Sequence, residues 1–436
     1  MSFSNVASRI IDPVFDRSGL RVEFRLPSAD AVYLSDLRLI NVGVTSNSAT
    51  DEPNKLLGIL GAIKSITLLD GSVQLDRISN APVYNAFRNA NMDNDANLSM
   101  NRFLRYIQTG YMVQGDYAIT GSANTQFALT SPNVAQQNPQ TYTGSALSAK
   151  RAWISLKEVL PFLRSSLVLP KSVYKNLRVV VEYNSPSELQ FLTKDSTATK
   201  ASTADALLLA DELEDGDMKD QMMSQYKGVV YRPIEHEMVV APKIEPTPSL
   251  DDSAGRVTSK QENNYQLHGA RNKKLIKLVI CQTPTDSTTW LSTNDVVGFG
   301  NVASSAQYKT EVQVIVNGVP KLPSSGMSPS ATGTYANRRL AYLNDTWGRF
   351  NIVTGQNVIN LNRLDDFTAD DNLKGQQDFI GCMIDDYVSE LRLDYNRTAI
   401  VGNANTIQAL NLNVFYEVEK AVVMNDDGSY AVVYTQ

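Results

Sequence analysis

"NLRVVVEYN" at residues 176–184 returns, altered, as "NLNVFYEVE" at 411–419. Both stretches open Asn-Leu, carry Val at the fourth place and Glu at the seventh, and are filled with β-formers. Around them runs a pattern of short apolar segments broken by turn signals. Examples are "LRVEFRLP" (20–27), "LSDLRLINVGV" (34–44), "LIKLVICQT" (275–283) and "SELRLDYNR" (389–397). Their period is nearer two than 3.6, and Val, Ile, Tyr and Thr suit a half-buried pleated surface. "LLDGSV" and "IVNGVP" place Asp-Gly and Asn-Gly between such runs, a strong hairpin signal. Many short strands with few helices predict an all-β sandwich or barrel.

The hairpins supply a second landmark. Asp70-Gly71 precedes the first twin strand and Asn317-Gly318 the second, with 105 residues from Gly71 to Asn176 and 93 from Gly318 to Asn411. Two landmarks in the same order at similar spacing predict one β-domain built twice. Residues 1–190 are expected to form the first copy and 226–436 the second. Between them, 191–225 reads as an acidic connection that adds little to either core, its "ADALLLADELEDGDMKDQMMSQ" (204–225) having helical composition. "NAPVYNAFRNA" (80–90) and "SLKEVLPFL" (155–163) predict short helices, the second limited by Pro161. The loops 113–150 and 322–335 are rich in Ser, Thr, Asn, Gln, Gly and Pro and are expected to face solvent.

Bulk properties exclude several classes. A chain of 436 residues with 42% hydrophobic and 20% charged residues buries full-sized cores and is not disordered. Its formal net charge of −6 argues against a dedicated nucleic-acid binder. Two cysteines, Cys281 and Cys382, are too few for a disulfide framework, and the opening "MSFSNVASRIIDPVFDRSG" lacks the apolar core of a signal peptide. Folding in a reducing compartment is the expectation, and the sequons at Asn97, Asn344 and Asn396 are read as chance matches.

Against this background the chain resembles the double jelly-roll major capsid proteins, the hexon-like lineage of adenovirus, tailless membrane-containing phages and icosahedral eukaryotic DNA viruses. "VEFRLPSADAVYLSDLRLINVGV" is similar to the opening strand pair, and "GAIKSITLLDGSVQLDRISNAPVYNAFRN" to the strand, hairpin and short helix that follow. "WISLKEVLPFLRSSLVLPKSVYKNLRVVVEYN" resembles the Leu/Pro-rich helix and final strand of a first roll. "TEVQVIVNGVPK" and "NLNVFYEVEKAVVMNDDGSYAVVYTQ" resemble the matching parts of a second. The resemblance implies two tandem eight-stranded jelly-roll β-sandwiches and a major capsid protein whose pseudo-hexagonal homotrimers tile an icosahedral viral shell. As partners it implies the chain itself and neighbouring trimers, with minor capsid and penton proteins, an internal membrane beneath the shell, and no sequence-specific nucleic acid. It places the protein in the virion. Two alternatives stand beside it: a minor capsid or scaffolding protein of the same fold, and a carbohydrate-binding β-sandwich protein.

No residue is singled out as catalytic, cofactor-binding or metal-ligating, and no enzyme is expected. His236 lies between Glu235 and Glu237, but Val240 stands where a zincin needs its second His, so a solvated or hydrogen-bonded His236 and His268 are expected. Asp93, Asp95 and Asn97 have calcium-loop spacing, yet Leu98 replaces the Gly and Leu104 the closing Glu. "LDDFTADD" (364–371) and "IDDY" (384–387) read as solvated turns. "GFGNVA" (298–303) lacks the third Gly and the βαβ setting of a dinucleotide loop. The basic run "ARNKKLIK" (270–277) reads as charge guarding an apolar strand. Trp153, Trp290 and Trp347 read as core or interface anchors. The Asp427-Gly428 hairpin is expected to pack locally.

Overall fold

The computed structural model describes residues 6–17, 19–27, 30–45, 63–81, 83–84, 151–184, 200–202, 206–214, 216–244, 260–285, 308–322, 379–399, 409–425 and 427–435. The sequons at Asn97 and Asn344, the Asp93–Asn97 run, 298–303, 364–371, Trp290, Trp347, the loop 113–150 and all of 322–335 but Leu322 lie outside these residues, as does most of 80–90.

Two sheets pack into a first sandwich. In one, β1 (Val6–Ile11) pairs with β12 (Leu207–Leu213), β12 with β5 (Arg38–Thr45), and β5 with β8 (Arg151–Ser155). The short strands β4 (Val32–Leu34), β9 (Val168–Pro170) and β11 (Lys200–Ser202) extend this sheet. In the other, β3 (Arg21–Arg25), β10 (Leu177–Tyr183), β6 (Ile63–Asp70) and β7 (Val73–Ser79) lie in that order, with β2 (Pro13–Arg17) on the β3 edge. Leu39, Ile154 and Leu208 from the first sheet meet Phe24, Ile66, Leu68 and Val181 from the second in one core.

The second sandwich repeats the plan. One sheet runs β14 (Ile234–Ala241), β21 (Leu410–Val418), β16 (Lys273–Pro284), β19 (Phe379–Val388). Its mate runs β15 (Lys260–Leu267), β20 (Leu391–Ala399), β17 (Tyr308–Val316), β18 (Val319–Pro320). Leu278, Ile280, Val414 and Tyr416 of the first sheet pack on Val312, Val314, Leu393 and Tyr395 of the second. Taken in chain order, β1, β3, β5, β6, β7, β8, β10 and β12 correspond one for one to β14 through β21, with the same antiparallel neighbours.

This correspondence corrects the reading of the twin strands. The hairpins are equivalent: Gly71 N–H donates to Asn176 O at 3.1 Å, and Asn317 N–H to Glu390 O at 2.9 Å. The strand beside the first hairpin is therefore β10, and the strand beside the second is β20, "LRLDYNRTA". β21, with its "NLNVFYEV", sits in the opposite sheet, where its counterpart is β12. The sequence echo joins two strands that are not equivalent. Both are central, between two neighbours, and a central strand draws on the same few residues in either sheet.

The connection expected over 191–225 is corrected for the same reason. Residues 200–202 and 207–213 are strands of the first sandwich, and Leu208 and Ala210 are buried in its core. Partners on both sides of β12 override the helix preference of its Leu, Ala and Glu. Its carboxylates are paired: Asp211 accepts from Ser8 at 2.6 Å, and Glu212 pairs with Arg9 at 2.7 Å. A helix does form after it, α2 (Asp217–Gln225), with no buried residue.

The 155–163 stretch gives a 3₁₀ turn at Leu156–Glu158 and then α1 (Pro161–Ser165). Pro161 starts α1 at its first position, where a missing N–H costs nothing. The hairpin loops are Gly71-Ser72 and Asn317-Gly318. Asn317 (φ 51°) and Gly318 (φ 79°) both adopt the left-handed region that a type I′ turn demands.

Candidate functional site: the seam between the two sandwiches

A third sheet belongs to neither sandwich. It holds β13 (Gly228–Tyr231), β22 (Lys420–Met424) and β23 (Tyr430–Tyr434), that is, the strand before β14 and the hairpin after β21. Strand alternation gives it two faces. Val229, Tyr231, Val422, Tyr430 and Val432 point inward and join the core of the first sandwich. Val230, Val423 and Val433 point outward and are exposed. The C-terminal hairpin, expected to pack locally, reaches across instead: Tyr430 Oη donates to Asp70 Oδ2 at 2.7 Å, and Asp70 Oδ1 accepts from Asn176 N–H at 2.6 Å.

Aromatic rings fill the join. Phe162 of α1 meets Tyr231 edge-on at 5.2 Å and Tyr174 at 5.9 Å. Tyr430 lies 5.1 Å from Tyr174, whose hydroxyl is 2.5 Å from that of Tyr226. Tyr231 Oη donates to the Leu75 carbonyl on β7. Such pairs add about 0.5–1.5 kcal/mol each beyond the area they bury.

The sheet of β14, β21, β16 and β19 is covered on both faces here. Leu278, Ile280 and Val414 face their own core, whereas Val279, Cys281 and Phe415 face the first sandwich. A strand covered on both sides needs no alternation, which explains the unbroken "LVIC" and "VFY" runs.

His236, weighed in the sequence as a metal ligand, sits in this seam as a hydrogen-bonded side chain. Its Nε2 donates to Asn413 Oδ1 at 3.0 Å, and its ring lies 4.8 Å from that of Phe415. Asn80, from the end of β7, donates to the same Asn413 Oδ1 at 2.8 Å, and Asn413 Nδ2 donates to Thr283 Oγ1 at 2.9 Å. Burial lowers the His236 pKa against the raising influence of Asn413 and Glu237. His268 is exposed, and its backbone N–H and that of Gly269 donate to the Glu237 carboxylate at 3.3 and 2.9 Å.

The basic run 270–277 is absorbed by acids. Lys273 pairs with Glu235 at 2.5 Å, Lys277 with Glu417 at 3.1 Å, and Lys274 with Asp385 at 3.7 Å. Lys420 also reaches Glu235, at 3.2 Å, and both Lys273 and Lys420 lie over the Tyr434 ring, at 4.4 and 4.5 Å. Burial pushes the Glu235 carboxyl up, but Lys273, Lys420 and the Tyr434 hydroxyl outweigh it and hold the group below its ordinary range. "IDDY", expected as a solvated turn, instead lies within β19, where Asp386 pairs with Lys321 at 3.7 Å.

Cys281 and Cys382 are both free and buried. They lie on adjacent strands but on opposite faces of the sheet, one in each core, so they do not pair. Burial pushes the Cys382 thiol up to about 11 and raises that of Cys281 as well. The Asn396 sequon falls in β20, with its Oδ1 buried. Trp153 falls in β8. Among the described residues no group of three or more His, Cys, Asp or Glu is placed to hold a metal, and no helix is long and apolar enough to cross a membrane.

Asp76 of β7 is 1% exposed, and its carboxylate accepts from the backbone N–H groups of Phe162 and Arg77, both at 2.8 Å. Burial raises its pKa to about 6, opposed by those two bonds and by Lys420. A carboxyl whose pKa is higher folded than unfolded stabilises the fold when protonated. Its contribution is fully present at pH values below the ordinary 3.8 and is lost as pH rises through about 6. Relative to Asp76→Asn, the protein is expected to gain on the order of 3 kcal/mol as pH falls from 7 to below 4. Urea unfolding of both proteins across that range reads the difference, and parallel curves would contradict it. His236 works the other way, its contribution being lost as pH falls from its ordinary 6.5 through its lowered folded value, which is why the difference from Asp76→Asn is the measured quantity.

Comparison with solved structures matches the whole arrangement. PBCV-1 VP54, as fitted into a cryo-EM reconstruction of the virophage Sputnik, superposes with a TM-score of 0.56 at 10% identity, covering 100% of this chain and 98% of that one. This chain is a double jelly roll. The mavirus major capsid protein matches at a TM-score of 0.51 and 9% identity, covering 98% and 90% of the two chains. The Faustovirus major capsid protein matches at 0.51 and 8%, covering 96% and 90%. A scan against protein-family models and a search of the curated proteins return no match. The double jelly roll accounts for both sandwiches, and the third sheet lies at the join between its rolls.

Proposed function

We propose that this double jelly roll is a major capsid protein whose homotrimers form pseudo-hexagonal tiles of an icosahedral viral shell. The observation that carries the proposal is the strand-for-strand repeat of eight strands between β1 and β12 in β14–β21. One chain then offers two similar lobes, and three chains around a threefold axis offer six, the outline a hexagonal lattice accepts. The first roll takes the chain up to about residue 214, α2 and β13 connect, and the second roll begins at β14. Apolar side chains left on the surface support self-association, among them Ile10 at 65%, Val14 at 61% and Leu167 at 65% exposure. Two free thiols suit assembly in a reducing compartment before the protein enters the virion. Neighbouring trimers are the principal partner, with minor capsid and penton proteins filling positions a hexagonal tile does not fit.

Native mass spectrometry of the purified chain tests the reading. Three copies of 48.0 kDa give about 144 kDa, and this species is expected to persist on dilution, because obligate interfaces bury thousands of Å². A 48.0 kDa monomer at micromolar concentration would overturn it.

A further inference from the structure

We infer that the third sheet is an orientation clasp, and that Tyr430 is a positioning residue fixing the angle between the two rolls. The eight strands of each roll pair among themselves without β13, β22 and β23, so these three are surplus to both sets of ladders, while their inner face covers the first roll's core. Each end of β23 grips a different roll. Tyr430, at its start, donates to Asp70 at the first roll's hairpin and packs its ring 5.1 Å from Tyr174. Tyr434, at its end, donates to Glu235 of β14 at 2.7 Å, beneath the ammonium groups of Lys273 and Lys420. The five residues from Tyr430 to Tyr434 form an extended strand, paired along its length with β22. An extended strand has a fixed length, so anchoring its two ends fixes a distance between the rolls. Asp70 holds Tyr430 in turn, because its other oxygen caps the Asn176 N–H and ties it to β10.

The consequence for a tile rests on the capsid reading, since six lobes close evenly only if the angle within a chain matches the angle between chains. The clasp itself is tested within one chain and stands apart from that reading. Spin labels at Gln74→Cys and Gln266→Cys, both exposed, report the distance between rolls, and the buried Cys281 and Cys382 stay unlabelled. Doubly labelled chains are diluted into unlabelled protein so that only intrachain distances register. Tyr430→Ala is expected to broaden and shift the distance distribution, with Tyr430→Phe, which keeps the ring, moving it less. Hydrogen exchange at Val180 and Val414, deep in each roll, is expected to stay as in the parent. A distribution unchanged in Tyr430→Ala would overturn the inference. So would loss of protection at Val180 or Val414, which would make Tyr430 a general stabiliser rather than a positioning residue.

Discussion

Leu208→Ala is expected to destabilise the first roll by about 2–5 kcal/mol, the range for truncating a fully buried leucine. Leu208 is 0% exposed and lies on β12, opposite Ile11 of β1 and Leu39 of β5. Removing its side chain leaves a cavity walled by strands on both sides, which cannot collapse inward without breaking their pairing. The same substitution in a connecting segment would change stability by no more than about 0.5 kcal/mol. Gln221→Ala, on the exposed face of α2, is the matched control and is expected to fall in that small range. Denaturant unfolding followed by fluorescence separates the two. Equal, small effects would restore 191–225 to the role of a linker.

Gly228→Val is expected to detach β13 from β22. Gly228 holds φ +101°, and a Cβ built there would stand 2.0 Å from the Val422 carbonyl oxygen. Neither the dihedral nor the contact can be relieved by a side-chain rotation, because the obstacle is backbone. Strain at such a dihedral costs about 1–3 kcal/mol alone, and displacing the paired strand raises the total to on the order of 3–5 kcal/mol. The loss is expected to be local, with amides of β13 and β22 exchanging rapidly while β10 and β20 stay protected. Unchanged exchange throughout the third sheet would mean that the β13–β22 pair tolerates the shift.

The sequence makes the class of fold readable for a physical reason. Hairpin turns need positive φ, only a few residues supply it cheaply, and Asn317-Gly318 and Gly71 mark both turns without ambiguity. Strands lack such a private code. "NLRVVVEYN" and "NLNVFYEVE" look alike because each is a central strand, not because each occupies the same place in its roll. β12 was hidden for the opposite reason: "LLLADEL" alternates only weakly and is rich in helix formers, and its strand state is imposed by β1 and β5. The seam left one trace that could have been read. "LVIC" in β16 and "VFY" in β21 are unbroken apolar runs, the mark of a sheet covered on both faces, and a lone sandwich offers only one covered face. The polar members of the seam left none. Nothing near Asn80, Asn413, Asp76 or Tyr430 announces a partner, because each meets a group more than eighty residues away in the chain.

If each chain contributes two equivalent lobes to one tile, averaged electron-microscope images of the purified trimer will show it. Viewed down the threefold axis, the particle is expected to present six lobes at nearly equal radius with a pseudo-hexagonal outline. Three lobes, or six at two clearly different radii, would contradict the tile.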